Sequence, residues 1–518
     1  GCENTSVGSG SMASNLTGDN NTAVGRCALN ANTTADDNTA VGKDAMVANT
    51  TGTGNVAVGT YTLDANTEGD SNTAIGKQAL SANTTADYNT AVGRQALFSN
   101  TTGTGNTAVG YESLKVNTTG GDNTAMGLCA MCSTTTGSSN AAVGRRALTS
   151  NTTGVHNVAM GFNSLFATTT GLCNVGVGGG ALQSNTTGCY NIGIGRFANC
   201  ANLTSNSNTA VGHQSLKLNT AANNTAVGYE ALSANTSGAH SVAVGCGALA
   251  SNTTSGENTA VGFGALAAQN TGTPNDAFGN QSLCKLTTGT QNTGLGFRAM
   301  CDVTTGVRNV SVGNSAGYKT TTGNENVAIG RASNLSNTTG NNNVSVGHCA
   351  GYNITTGGQN INIGGFTTVA SATASYSLAI GYNIVGKGAG TGYIAPDGTS
   401  SGGIYQGNNS SSWSTTSDKR IKKNIVDNTT GLDKINQIQI RNFEYRKEDE
   451  ITELPKHSAI EKSGIQIGVI AQEIETILPD VVTEESTGVK SVDPSNLTWY
   501  LINAIKELTK RIKDLEDK

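Results

Sequence analysis

The sequence predicts a mostly β chain: a parallel β-solenoid, or β-roll, of about 22 coils, followed by a small α+β domain. Three observations carry this. A glycine recurs at one fixed interval, as Gly8, Gly25, Gly42, Gly59 and onward to Gly212, and after a single step one residue shorter, to Gly228, the march resumes as far as Gly381. Apolar residues recur at fixed offsets from that glycine. Near residue 386 the composition changes abruptly. A short fixed period sustained over hundreds of residues marks a solenoid, in which each repeat is one coil stacked on the last.

The unit reads N-T-A-V-G-x-x-A-L-x-x-N-T-T-G-x-x, as in Asn21 to Asp37 and Asn89 to Gly105. The residue before the marker glycine is apolar (Val24, Ile75, Met126, Phe278), and the one before that is small (Ala23, Ala74, Gly193, Ser345). Three and four places after the glycine stands a small-large pair such as Ala28-Leu29 or Ala147-Leu148. We therefore expect two short strand-like pieces per coil, T-A-V and A-L. Neighbouring strand residues face opposite ways, so a Val/Leu column and an Ala/Ser column fall on opposite faces. One face fills the coil; the other, small and apolar, suits a neighbouring chain. N-T-T-G is turn chemistry, and stacked Asn side chains can form amide ladders between coils.

Two large buried side chains per coil do not offset the entropy of ordering the whole coil. Backbone ladders and packing between chains must contribute, so an oligomer is expected. At about 4.8 Å per coil the array makes a rod on the order of 105 Å long. Late in the array A-L becomes A-G-Y (Ala316-Gly317-Tyr318 and Ala350-Gly351-Tyr352), which reads as the large side chain moving one place along. The short step falls in the turn at Thr220 to Asn224, where a deletion is tolerated best.

N-T-A-V-G-x-x-A-L resembles the repeats of YadA-like head domains of trimeric autotransporter adhesins, over about residues 4 to 384. That resemblance implies a homotrimeric rod of three β-rolls side by side. The usual head unit is shorter than this one; the long unit is also similar to repeats of tail-fibre domain proteins. The domains expected are residues 1–385, the repeat shaft; 386–416, a Gly/Ser-rich neck or linker; and 417–518, a C-terminal domain.

Residues 417–518 hold 35 of the 67 charged residues, an ordinary globular composition. Asp493-Pro494 predicts a helix start. Leu501, Ile505, Leu508, Ile512 and Leu515 follow as a heptad seam. The seam either packs on its own domain or self-associates; beside a trimeric rod, a trimeric helix bundle is expected. Ser417-Asp418-Lys419-Arg420-Ile421-Lys422-Lys423-Asn424-Ile425 resembles the S-D-x-R-x-K-x-N-I opening of the endosialidase-type intramolecular chaperone, the S74 peptidase domain. Gly468-Val469-Ile470-Ala471-Gln472-Glu473 with Pro479, and Ala504-Ile505-Lys506-Glu507-Leu508, are similar to its later segments. The resemblance implies a domain that trimerises, registers three chains, assists folding of the β-structure upstream and then cuts itself off. By position it makes Ser417 the nucleophile, Lys422 its base and Thr416–Ser417 the scissile bond. The chemistry is coherent: a Ser hydroxyl needs a base, and a Lys can serve when desolvation or nearby cations such as Arg420 and Lys423 favour its neutral form. Repetitive chains also pair out of register at little cost, which gives such a domain a purpose.

The remaining signals are weak. Cys284 and Cys301 share a column in consecutive coils, but a disulfide needs particular geometry, and unbridged thiols are the expectation. Cys129-x-x-Cys132 lacks a second pair and reads as filler, not a metal site. The N-x-T triplets are products of the repeat. The net charge of −5 disfavours nucleic acid, and no apolar run approaches a membrane span. No cofactor or metal is expected. The chain begins at Gly1, close to the first repeat at Asn4, which reads as a processed or partial chain. The expected function is a homotrimeric surface-attachment fibre, a virion tail fibre whose partners are its own copies and a host-surface glycan or protein receptor. The alternative is a bacterial surface adhesin. A polysaccharide-degrading spike needs a carboxylate pair on one groove, and the array has no repeating acidic column. Ice binding by Thr ladders fits poorly, because adjacent Thr residues face opposite ways. The only enzymatic activity implied is single-turnover self-cleavage.

Overall fold

A computed structural model describes residues 1–398, 403–407, 419, 422–454, 460, 462–484 and 488–518. The chain divides into two compact units, Gly1–Thr415 and Thr416–Lys518.

The first unit is a parallel β-solenoid. Its strands run from β1 (Thr5–Val7) to β23 (Leu378–Tyr382), one per coil. Each pairs in parallel with the strand one repeat later: Thr5 with Thr22, Ala23 with Ala40, Val92 with Val109. Across the short step the pairing stays in phase, Thr209 with Thr225, and the shortfall is absorbed in the turn, where Asn219 Oδ1 accepts from the Ala221 N–H. Past residue 386, within the segment whose composition reads as a neck, the sheet continues. β24 (Gly392–Asp397) pairs parallel with β23, and β25 (Ile404–Gln406) pairs antiparallel with β24.

The marker glycine has two reasons to be glycine. At Gly93 φ is +132°, and a Cβ there would lie 2.5 Å from the carbonyl oxygen of Gly110, the marker of the next coil. Backbone passes directly over backbone at each coil.

Two expectations about the unit need correction. Only T-A-V is a strand; A-L lies in a turn, with Leu29 at φ +51° and Cys27 at +54°. Two left-handed residues two places apart wrap the chain round a corner, and Ala28 and Leu29 both become fully buried. Second, the strand's inward face is the small one. Ala23, Ala40 and Ala91 are buried, while Val24 and Ile75 stand 37% and 40% exposed on the outside. The corner Leu already fills the coil, so only a methyl fits beneath the strand. The outer face is accordingly Thr-x-Val rather than Ala/Ser.

Buried Asn residues make the polar interior satisfiable. Asn38 N–H donates to Asn21 Oδ1 at 3.0 Å, and Asn38 Nδ2 donates to the Gly52 carbonyl at 2.9 Å. A second ladder runs through the N-T-T-G turn, with Asn66 Nδ2 donating to Asn49 Oδ1 at 2.8 Å. The ladders predicted from the repeat are present. In the late coils Gly317 and Gly351 take the left-handed corner, and Tyr352 stays 43% exposed. In the Gly351 coil, apolar volume reappears not at the tyrosine but at the turn position usually held by Asn, as buried Ile354; Leu286 and Val303 hold the same position in coils that keep Leu283 and Met300 at the corner, and the Gly317 coil has Thr320 there. Cys284 and Cys301, expected as unbridged thiols, form a disulfide between consecutive coils with Cα atoms 5.0 Å apart. Stacking at the coil spacing brings their Cα atoms within bridging distance.

The second unit comprises α1 (Leu432–Ile435), β26 (Arg441–Phe443), β27 (Gln466–Gly468), α2 (Ala471–Glu475), β28 (Val482–Glu484), β29 (Lys490–Val492) and α3 (Pro494–Glu516). β26 pairs antiparallel with β27, and β28 with β29. Its core is Ile474, Leu478, Val481 and Tyr500, with Ile435, Ile438 and Leu497 packed against them.

Candidate functional site

The site that the sequence singles out begins at the start of the second unit. Thr416, Ser417 and Arg420 lie outside the described residues, so the nucleophile and the scissile bond have no geometry to report. Lys422 is described: its side chain is exposed and its backbone N–H donates to the Lys419 carbonyl at 3.2 Å. Lys423 is exposed as well.

The residues that follow assemble a small platform around α3. Asp493 caps the helix by accepting from the Ser495 N–H at 2.8 Å, with Pro494 in the first turn, as the sequence predicts. One side of the helix is tied to its own domain. Tyr500 and Ala504 are buried, and the Tyr500 hydroxyl donates to Asp480 Oδ2. Glu507 Oε2 accepts from the Leu432 N–H at 2.9 Å and caps α1, 75 residues away in sequence. Asn503 Nδ2 donates to the carbonyls of Asn428 and Thr430. Arg511 holds Glu507 at 2.8 Å and reaches Asp433 at 3.4 Å. The Leu432 amide and then Arg511 hold the Glu507 carboxyl below its ordinary pKa. The heptad pattern carries no sign of this polar lock, because its partners lie in a different segment.

The other side of α3 is the heptad seam. Ile505 is 62% and Leu515 71% exposed, with Leu501, Leu508 and Ile512 also exposed. The seam therefore does not pack on its own domain: Tyr500, Ala504 and Glu507 do, and the seam faces outward. A row of large apolar side chains at heptad spacing on an anchored helix is suited to packing against like helices.

The segment upstream of α3 is built from the motif residues. Gly468 ends β27 and Ala471 opens α2, whose Glu473 pairs with Arg441 through both carboxylate oxygens at 3.1 Å. Pro479 begins the short turn of helix that leads into β28. Lys490 on β29 closes onto Glu475 at 2.6 Å.

Among the described residues no group of His, Cys, Asp or Glu is arranged to hold a metal ion. Cys129 and Cys132 place their sulfurs 2.8 Å apart at a solenoid corner. Burial, reinforced by Cys129, pushes the Cys132 thiol up to about 12, which keeps it protonated at neutral pH and poor as a ligand or nucleophile. No described helix is long and apolar enough to cross a membrane.

Compared with known protein families, residues 417–483 match the model of the S74 peptidase family, described as the chaperone of endosialidase. The match takes in both the S-D-x-R-x-K-x-N-I opening and the G-V-I-A-Q-E segment, and ends before α3. Neither the curated proteins nor the solved structures yielded a match to the chain. The chain therefore carries a chaperone-of-endosialidase domain behind a β-solenoid body.

Proposed function

We propose that the chain is the subunit of a homotrimeric attachment fibre, a viral tail fibre or similar appendage. The solenoid is the rod that spaces and displays a surface for a host glycan or protein. The C-terminal domain trimerises, sets the register of three chains, and assists folding of the rod. The observation that carries this is the exposed seam of α3 in a domain of the chaperone-of-endosialidase kind, behind a repeat whose recurring strand and Asn contacts do not distinguish one register from the next. Self-cleavage follows from the resemblance. Lys422 takes the Ser417 hydroxyl proton, Ser417 Oγ attacks the Thr416 carbonyl carbon, the Thr416–Ser417 C–N bond breaks as the amide nitrogen receives that proton from Lys422, and one water hydrolyses the resulting ester to a Thr416 carboxylate and a Ser417 hydroxyl with a free amine. Lys422 is exposed in the single chain, so burial on association would add the desolvation that favours its neutral form and tie cleavage to assembly.

The test is sedimentation and chain mass on the full protein. A trimer is expected, and Ile505→Asp with Leu508→Asp should give a folded but dissociated chain; a monomeric wild type overturns the reading. Wild type should yield two chain masses divided at Thr416–Ser417, and Ser417→Ala one. Absence of the cut in assembled wild type removes the cleavage step alone. The likeness of the repeats to trimeric adhesin heads favours a bacterial surface adhesin as the second reading; capsid and tail genes beside this one decide for the virus.

A further inference from the structure

Charge is not spread evenly over the solenoid. The two positions after each marker glycine hold nine of the 15 Lys and Arg of residues 1–416 but three of the 17 Asp and Glu. The positions five and six before each marker hold nine of those acids and one cation. The strand lies between these positions in every coil. Its outward Thr-x-Val face, on which Val24 and Ile75 stand partly exposed, is thus flanked by a cationic edge on one side and an acidic edge on the other.

The charges also match coil by coil. Four coils near the N-terminus carry both: Asp19 with Arg26, Asp36 and Asp37 with Lys43, Asp70 with Lys77, and Asp87 with Arg94. The coil between the second and third of these has Thr53, Gly54, Thr60 and Tyr61 at the same positions, and neither charge. The four cations are exposed. Among the described residues none pairs with an acid of the opposite edge; Lys43 has one ion pair, with its neighbour Asp44 at 3.7 Å.

The acids do have a local task. Asp36 Oδ1 accepts from the Asp19 N–H, Asp70 Oδ1 from the Thr53 N–H and Asp87 Oδ1 from the Asp70 N–H, each at 2.7 Å. That task does not need charge. Ser138, Asn206 and Asn324 make the same bond at the same position in later coils. The negative charge in the early coils therefore calls for another reason.

We propose that these edges are a register code read by a second copy of this chain, resting on the trimer reading above. When identical rods turn their Thr-x-Val faces toward a common axis in parallel, the cationic edge of one meets the acidic edge of the next. An antiparallel pair would set like edges together. In register, all four coils pair opposite charges; further along, Glu325 already pairs with Arg308 of its own chain at 2.8 Å, so neither is counted. A slip of one coil in either direction keeps two of the four. It also sets like charges together, Asp87 or Asp122 against Glu112. In one direction it gains Glu3 with Arg26 and Asp122 with Arg145. With Asp44 set against Lys43 and the like pair against the opposite ones, three net attractive pairs in register fall to two in that direction and to one in the other. The apolar stripe supplies adhesion without position, and the charges supply position. Lost pairs of the modest size usual for exposed ions, summed over three interfaces, favour the in-register population by roughly tenfold or more.

The experiment is thiol cross-linking of the full chain with a short bismaleimide, in variants that keep every charge. Ser71→Cys with Gln78→Cys places one thiol on each edge of one coil; Ser71→Cys with Gln95→Cys is offset by one coil. Inter-chain products linking positions 71 and 78 are expected in about tenfold excess over the offset pair. Lys77→Glu with Arg94→Glu, and more weakly Asp70→Asn with Asp87→Asn, should abolish that excess while far-UV circular dichroism stays unchanged. Equal yields, or an offset preference, overturn the code. A trimer by sedimentation with no link through these positions overturns the assigned face and leaves the trimer standing. A monomer overturns the trimer reading and this one with it.

Discussion

The solenoid and the C-terminal unit solve the same problem by opposite means. In the solenoid each coil touches the coils before and after it, and the same bonds recur: strand to strand, Asn to Asn, glycine over glycine. In the C-terminal unit the bonds are singular. Glu507 caps an amide 75 residues away, and Asn503 holds two carbonyls of the loop before α1. A repeated contact stabilises without saying where a chain belongs; a singular contact does the reverse. A rod built of the first kind therefore gains from a domain built of the second.

The sharpest way to separate the two is one substitution made in both. Gly93→Ala forces a left-handed backbone and a Cβ 2.5 Å from the Gly110 carbonyl oxygen. We expect a loss of at least about 3 kcal/mol and new proteolysis at that coil. Gly464, at φ +82° with open space around it, should cost no more than about 1–2 kcal/mol as Ala. Comparable thermal shifts for the two variants would erase the distinction.

Truncating buried leucines comes next. Leu97→Ala and Leu478→Ala should each cost about 2–5 kcal/mol. Their spatial signatures should differ under hydrogen exchange: protection lost around the affected coil in the first, and across the whole small domain in the second. A smaller contrast is expected for amides. Asn66→Ala orphans buried partners in the ladder and should cost about 1–3 kcal/mol, while the more exposed Asn503→Ala should cost about 1 kcal/mol, both measurable by denaturant titration.

The smallest effects concern pH, and their signs oppose. Burial raises the Asp64 carboxyl above its ordinary 3.8 despite a bond from Ser81. A raised folded value favours the native state below the unfolded value, and that advantage is lost as pH rises through the folded one. Asp64→Asn should then be slightly more stable than wild type at pH 7, with the gap closing in acid. Glu507 is held below its ordinary 4.5 by the Leu432 amide and Arg511. Its contribution is present above that value and lost as pH falls through the folded one. Glu507→Gln should blunt the acid sensitivity of the C-terminal unit, read by thermal melts across pH 3–7.

Much of this was legible in the residues. The glycine period, the coil-to-coil pairing, the Asn ladders and the start of α3 follow from spacing and side-chain type alone. Two readings failed for a shared reason. Ala-Leu looked like a strand, and the small residues looked outward-facing, because alternation was applied where the chain in fact turns through left-handed corners at Cys27 and Leu29. Non-glycine residues carry no sequence mark for that conformation. The Cys284–Cys301 bridge was visible as a column but not as a bond, since its closing depends on the coil spacing.

Periodicity and composition are one-dimensional properties, so the amino-acid order alone was enough for a rod of identical coils with a differently composed domain after it. Three features needed the folded chain: which face of the strand is buried, where the apolar volume goes when the corner leucine is lost, and which side of α3 stays uncovered. Those depend on the space left by residues far away in the chain or one coil over, and a single coil read alone does not contain it.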